Sequence, residues 1–149
     1  RTNRPVVMTS TYEDFHAIVN VAIAYTWALD TRNFDALQEV FAADATGMLN
    51  GVHCDTRDAI IARISGSLLR LDFTQHLVGN HQVVVTGDTA THRCQLHAQH
   101  VKTGTEGGDN FIIGGYYDDI LVRTTNGWRI QHRIMQPTWR SDNANVVKR

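Results

Sequence analysis

Gly114-Gly115-Tyr116-Tyr117-Asp118-Asp119-Ile120-Leu121-Val122-Arg123, then the pair Asn126-Gly127, then Trp128-Arg129-Ile130 and Arg133: on this stretch the fold is decided. Aromatic and β-branched residues on both sides of an Asn-Gly pair signal a hairpin, because Asn and Gly accept the positive φ angles that a tight two-residue turn demands. The pattern continues upstream. Phe73–Thr86, Thr89–Thr103, Asn110–Thr124 and Trp128–Trp139 are long strand-like runs, broken at Gly87-Asp88, Gly104–Gly108 and Asn126-Gly127. They predict an antiparallel meander, with Gly79, Gly114 and Gly115 where a curved sheet needs bulges or tight bends.

Before the strands the period changes. Ser10-Thr11-Tyr12-Glu13 fits a capping box, and Phe15, Ile18, Val19, Ala22, Ile23, Thr26 and Leu29 follow at helical spacing. A first helix therefore runs to about Asp30. Its other faces carry Val21, Ala24, Trp27 and Ala28, a nearly all-round apolar surface that predicts a helix enclosed on more than one side. Phe34, Leu37, Val40 and Phe41 predict a shorter second helix, and Asp55-Thr56 opens a third that carries Ile60, Ile61, Ile64, Leu68 and Leu69. Thr46–Cys54 reads as a short hairpin around Asn50-Gly51. Helices first and long strands after them make an α+β domain, with a strongly curved, mostly antiparallel sheet wrapped around the leading helices.

Composition removes several function classes. A chain of 149 residues with 42% apolar and 19% charged residues has the size and the material for one core. A single domain is expected over residues 9–140, with residues 1–8 and 141–149 as extensions and Met8 as a candidate start. The formal charge is -1 and neither sign gathers into a block, which argues against nucleic acid as a partner. Ile18 to Leu29, the most apolar stretch, falls well short of the roughly 20 residues that span a bilayer. The first residues hold no apolar signal core, so a cytoplasmic protein is expected. Cys54 and Cys94 stand far apart and are read as reduced thiols. No Gly-x-Ser-x-Gly elbow and no nucleotide fingerprint is present.

The quoted stretch resembles the closing hairpin of SnoaL-like domains, which carry Gly-x-Tyr-x-Asp-x-x-x-Arg, a turn, and Trp-Arg-Ile-x-x-Arg. These domains belong to the nuclear transport factor 2-like superfamily of cone-shaped α+β barrels, with scytalone dehydratase, ketosteroid isomerase, limonene epoxide hydrolase, lindane dehydrochlorinase and bile acid dehydratase among its members. The resemblance spans roughly Tyr12 to Arg140 and implies a cone-shaped barrel, an apolar cavity, no cofactor and a homodimer. It also implies site residues. Asp30, at the end of the first helix, and His76, early on the first long strand, match the Asp-His dyad of the dehydratase and dehydrochlorinase branch. Arg133 stands where those enzymes carry an active-site Arg, and Tyr25 where bile acid dehydratase carries a Tyr. Trp27, Tyr117, His92 and Met48 are expected around the substrate, with Thr46-Gly47-Met48-Leu49 replacing an aromatic contact of the related enzymes.

Each residue has its own physical reading. An Asp in the last helical turn meets the negative end of the helix dipole, so Asp30 needs compensation. It either accepts a hydrogen bond from His76 and fixes that ring's tautomer, or caps the next helix. Arg133 is either an electrostatic clamp for a leaving group or oxyanion, or the ion-pair partner of Asp119. Tyr25 is either a hydrogen-bond donor to a leaving oxygen or core filling. His76, His81, His92, His97 and His100 crowd one region, and period-two alternation puts His92, Cys94 and His100 on one face and His97 on the other. Their spacing matches no common zinc motif, and no metal is expected. The predicted function is a lyase of the dehydratase type acting on a small, hydrophobic, cyclic substrate, with His76 as base. The alternatives are an epoxide hydrolase using Asp30, Arg133 and Asp119, an isomerase, and a non-catalytic ligand-binding or assembly subunit.

Overall fold

The computed structural model describes residues 11–149. The expected cap at Ser10 and the extension 1–8 lie outside the described residues. Helix α1 spans Thr11–Asp30, a 3-10 turn Phe34–Glu39, strand β1 Phe41–Leu49, β2 Val52–Cys54, helix α2 Arg57–Leu68, β3 Phe73–Thr86, β4 Thr89–Val101, β5 Asn110–Thr124 and β6 Gly127–Asp142, with a last 3-10 turn at Ala144–Val147. The strands form one six-stranded sheet in the order β2-β1-β6-β5-β4-β3. All neighbours are antiparallel except β1 and β6, which run parallel. The sheet curls around the two helices, the α+β architecture expected.

The quoted stretch sits at the centre of this sheet, as β5, the turn and β6. Arg123 closes it against α1: its guanidinium donates to both carboxylate oxygens of the buried Asp14 at 2.9 and 3.0 Å and lies 4.4 Å above the Trp128 ring. The Trp128 indole N–H donates to the same carboxylate at 3.1 Å. The register shifts between Gly114 and Gly115, where the sheet bends. A Cβ at Gly114 would overlap the Trp139 ring, and one at Gly115 would overlap the Gln136 carbonyl of β6. The two glycines therefore allow the close approach that the bend requires.

Two expectations about the leading elements are corrected. The second helix ends at Glu39 as a 3-10 turn, and Phe41 already belongs to β1. Val40 accepts a hydrogen bond from the Ile130 N–H at 2.9 Å, so pairing with β6 captures these residues before a helix can extend. Helix α1 is not enclosed all round. Ile18, Ala22, Tyr25 and Leu29 form its buried stripe, while Ile23 and Trp27 lie on the open side, Trp27 66% exposed. The hairpin at Asn50-Gly51 forms with φ of 50° and 76°, and α2 is capped by the Thr56 hydroxyl, which accepts from the Ala59 N–H at 3.0 Å. After β6 the chain folds back and buries Val146 against the core.

Candidate functional site

Asp30 is the last residue of α1, and β3 meets it there. Its carboxylate accepts three hydrogen bonds: from His76 Nδ1 at 2.7 Å, from the His76 backbone N–H at 2.8 Å and from the Thr74 hydroxyl at 3.0 Å. Arg32, at φ 61°, turns its guanidinium back to donate to the Leu29 carbonyl at 2.8 Å and the Thr74 hydroxyl at 2.7 Å. A cation thus sits where the helix dipole is negative and offsets the cost of an acid there. Burial alone would raise the Asp30 carboxyl; the His76 ring and backbone bonds and the Thr74 bond outweigh it and leave the carboxyl below its ordinary value. A carboxylate can only accept, so His76 Nδ1 carries a hydrogen, and in the neutral ring the acceptor is Nε2. The His76 side chain is 6% exposed and lines a cavity between the sheet and α2.

That cavity holds about 140 Å³. Leu29, Ile64, Leu96 and Ile113 give it apolar walls, and Tyr25, Tyr117, His76 and His100 bring polar atoms to them. His100 stands with its ring 6.1 Å from that of His76, and its Nδ1 lies 3.2 Å from the Phe111 carbonyl, which can only accept. Burial, and then the His76 charge, lower its pKa to about 4, so at neutral pH it is an uncharged ring with Nε2 as acceptor.

Behind the two tyrosines lies Arg133, fully buried. It holds Asp119 through two parallel bonds of 2.7 and 2.8 Å, and its guanidinium lies 3.9 Å from the Tyr117 ring centroid and 4.3 Å from that of Tyr25. Its NH1 has no hydrogen-bond partner. Burial raises the Tyr25 hydroxyl above its usual pKa against the pull of Arg133, and burial and then Tyr25 raise Tyr117 well above it. Both hydroxyls stay protonated and able to donate. Asp119 also accepts from His92 Nδ1 at 2.8 Å, and His92 Nε2 stands 2.9 Å from His81 Nδ1.

The expected residues thus fall into three places. Asp30 and His76 meet as a pair, and Tyr25 and Tyr117 share the cavity with His76. Arg133 is paired with Asp119 in the core, behind the tyrosine rings, and the Asp30-Arg133-Asp119 trio is not assembled, since Asp30 bonds His76 and Thr74 instead. His92 is buried beside Asp119 and does not line the cavity. Trp27 lies on the open side of α1, outside the cavity, in a groove that Asp30, Thr74 and His76 also line. Met48 is corrected. Met48 is half-buried and points away from the cavity because strand alternation turns its neighbour Leu49 inward.

Sequence reasoning missed Asn50, Arg63 and Ser67, which also line the cavity. Arg63 was legible as a charged residue one turn from Ile60 on the buried side of α2. It missed the inward turn of His81 as well, which follows from the register shift between Gly79 and Gln82, with Asn80 at φ 54°. His81, His92 and Cys94 present ligand atoms within 4.8 Å of one another, a set with the chemistry of a soft metal site. The two imidazoles already bond each other, and burial holds the Cys94 thiol up at about 11 against the pull of Arg133.

Comparison with known proteins places this geometry among relatives. The family described as a SnoaL-like domain matches residues 10–134. The uncharacterized protein Rv2910c of Mycobacterium tuberculosis is 34% identical over 136 residues, covering 89% of this chain and 90% of that protein. A structure from Novosphingobium aromaticivorans, proposed to be a scytalone dehydratase, superposes with a TM-score of 0.80 at 22% identity, covering 89% of each chain. A hexachlorocyclohexane dehydrochlorinase, LinA type 2, superposes with a TM-score of 0.75 at 16% identity, covering 87% of this chain and 88% of that one.

Proposed function

Because this chain belongs to the SnoaL-like family, we propose that it is a cofactor-independent lyase that removes water or another small leaving group from a hydrophobic cyclic molecule, with His76 as base. One observation carries the reading: an imidazole held by a carboxylate at Nδ1 lines an apolar cavity, which leaves Nε2 of the neutral ring to serve as the base. Such a base needs nothing else to take a proton from carbon beside an activating group. As the C–H bond breaks, its electron pair forms the new double bond and the bond to the leaving oxygen on the next carbon breaks. Tyr25 donates a hydrogen bond to that oxygen, and the buried Arg133 cation favours the negative charge developing there. The proton taken by His76 passes to the departing hydroxide, so water leaves and His76 is neutral again. Tyr117 and His100 complete the wall. The dehydratase and dehydrochlorinase names of the two structural neighbours both describe eliminations, and their identities to this chain support the fold alone.

The test is a screen of small β-hydroxy carbonyl and epoxide compounds in ¹⁸O-labelled water. A dehydrated product without label supports the lyase, and a labelled diol favours the hydrolase. With a substrate in hand, His76→Gln is expected to lower turnover by about 10²- to 10⁴-fold with little loss of stability. Turnover retained in that variant overturns the mechanism.

A further inference from the structure

The cavity is not uniform. His76, on β3, and the end of β1 belong to strands separated by β6, β5 and β4 in the sheet, and the curl brings both to one cavity. At the β1 end the lining turns polar, with Asn50, Arg63 and Ser67. Arg63 is the lining residue that carries a permanent charge. Its Nε donates to the Leu49 carbonyl, the last of β1, at 3.2 Å, which fixes the direction of the side chain. Among the described residues no atom bonds its NH1 or NH2 and no carboxylate pairs with it. Beside it, Arg140 NH2 reaches the Asn50 side-chain oxygen at 3.3 Å, again with no carboxylate partner. Arg63 lines both this chamber and an outer groove with Cys54 and Arg70, and a guanidinium anchored at Nε at such a rim can offer its two terminal nitrogens to a carboxylate through two parallel bonds.

The chamber also limits size. An apolar cavity of about 150 Å³ takes one benzene ring, and this one holds about 140 Å³. From the two observations we infer that the ligand is a monocyclic carboxylate, its anionic group bound by Arg63 NH1 and NH2 and its single ring lying between the tyrosines and His76. The inference deepens the lyase reading only in what stands at the far end of the ring; the carboxylate subsite depends on Arg63 and not on His76.

Binding alone tests it, at pH 7.5 by calorimetry, with benzoate, benzamide and 1-naphthoate as probes. Benzoate is expected to bind at least tenfold more tightly than benzamide of the same shape, and more tightly than the two-ring 1-naphthoate. Arg63→Gln is expected to abolish the preference for benzoate over benzamide, and Arg63→Lys to restore part of it, since Lys keeps the charge and loses the fork. Equal binding of benzoate and benzamide, no binding of benzoate, or a preference that survives Arg63→Gln overturns the subsite. Naphthoate binding as tight as benzoate overturns the one-ring limit. His76→Gln separates the two proposals: with the base removed, the preference for benzoate persists, so a failed mechanism and a failed subsite read differently.

Discussion

Asp30 and Asp119 each hold a histidine by Nδ1, at 2.7 and 2.8 Å, yet the two histidines have different prospects. His92 spends its second nitrogen on His81 inside the core, whereas His76 lines the cavity. The first pair was legible, because an acid at a helix C-terminus needs a partner and His76 falls on the inward phase of β3. The second was only half legible: alternation places His92 inward correctly, but the extra residue that rotates His81 toward it obeys no sequence period. The role expected for Met48 fails because one step along a strand is enough to move a side chain to the opposite surface. His100 supplies a pH test at this scale. In the unfolded chain it titrates near 6.5 and in the fold at about 4, so between those values the unfolded chain binds more protons. Its contribution is complete above pH 6.5 and is lost as pH falls toward 4, on the order of 3 kcal/mol at most. Asp30 and Asp119 are lowered below 3.8 and act in a separate, more acid window. Urea midpoints measured from pH 7.5 to 4.5 are expected to fall, and the slope to flatten in His100→Asn.

Among elements, those with a strong local signal were readable: α1, α2 with its Thr56 cap, the Asn50-Gly51 turn and the long strands between their glycine breaks. The run Phe34–Phe41 was misread because its apolar spacing suits a helix as well as the entry to a strand, and only pairing with β6, distant in sequence, decides between them. The bend at Gly114-Gly115 could be anticipated from composition, but not the identity of the atoms pressed against it. Gly115 has the harder constraint, since its neighbour is the Gln136 backbone carbonyl and backbone cannot swing aside as the Trp139 ring can. Gly115→Ala is expected to cost about 1–3 kcal/mol in chemical unfolding, and Gly114→Ala less. The reverse order would place the constraint on the ring.

For the whole molecule, the sheet's outer face leaves Leu77, Val84, Ile120, Ile134 and Trp139 exposed, with the Arg93–Asp118 ion pair at 3.1 Å among them. Apolar side chains in that number on one face, rimmed by polar ones, are what an association surface would present, and a second copy of the chain is the partner that the family resemblance implies. Sedimentation is expected to give a dimer, and Ile134→Glu a monomer that still folds; a wild-type monomer at micromolar concentration refutes the pairing. No helix among the described residues is long and apolar enough to cross a membrane. The parallel join of β1 to β6 has a consequence for biosynthesis. The hairpin of β1 and β2 can join the rest of the sheet only beside β6, the strand made last, so a chain still emerging from the ribosome must keep the open edge of β1 waiting until Met135 is free. The hairpins β3–β4, β4–β5 and β5–β6 can form locally, and closing the sheet through β1 and β6, strands far apart in sequence, is the slow, late step.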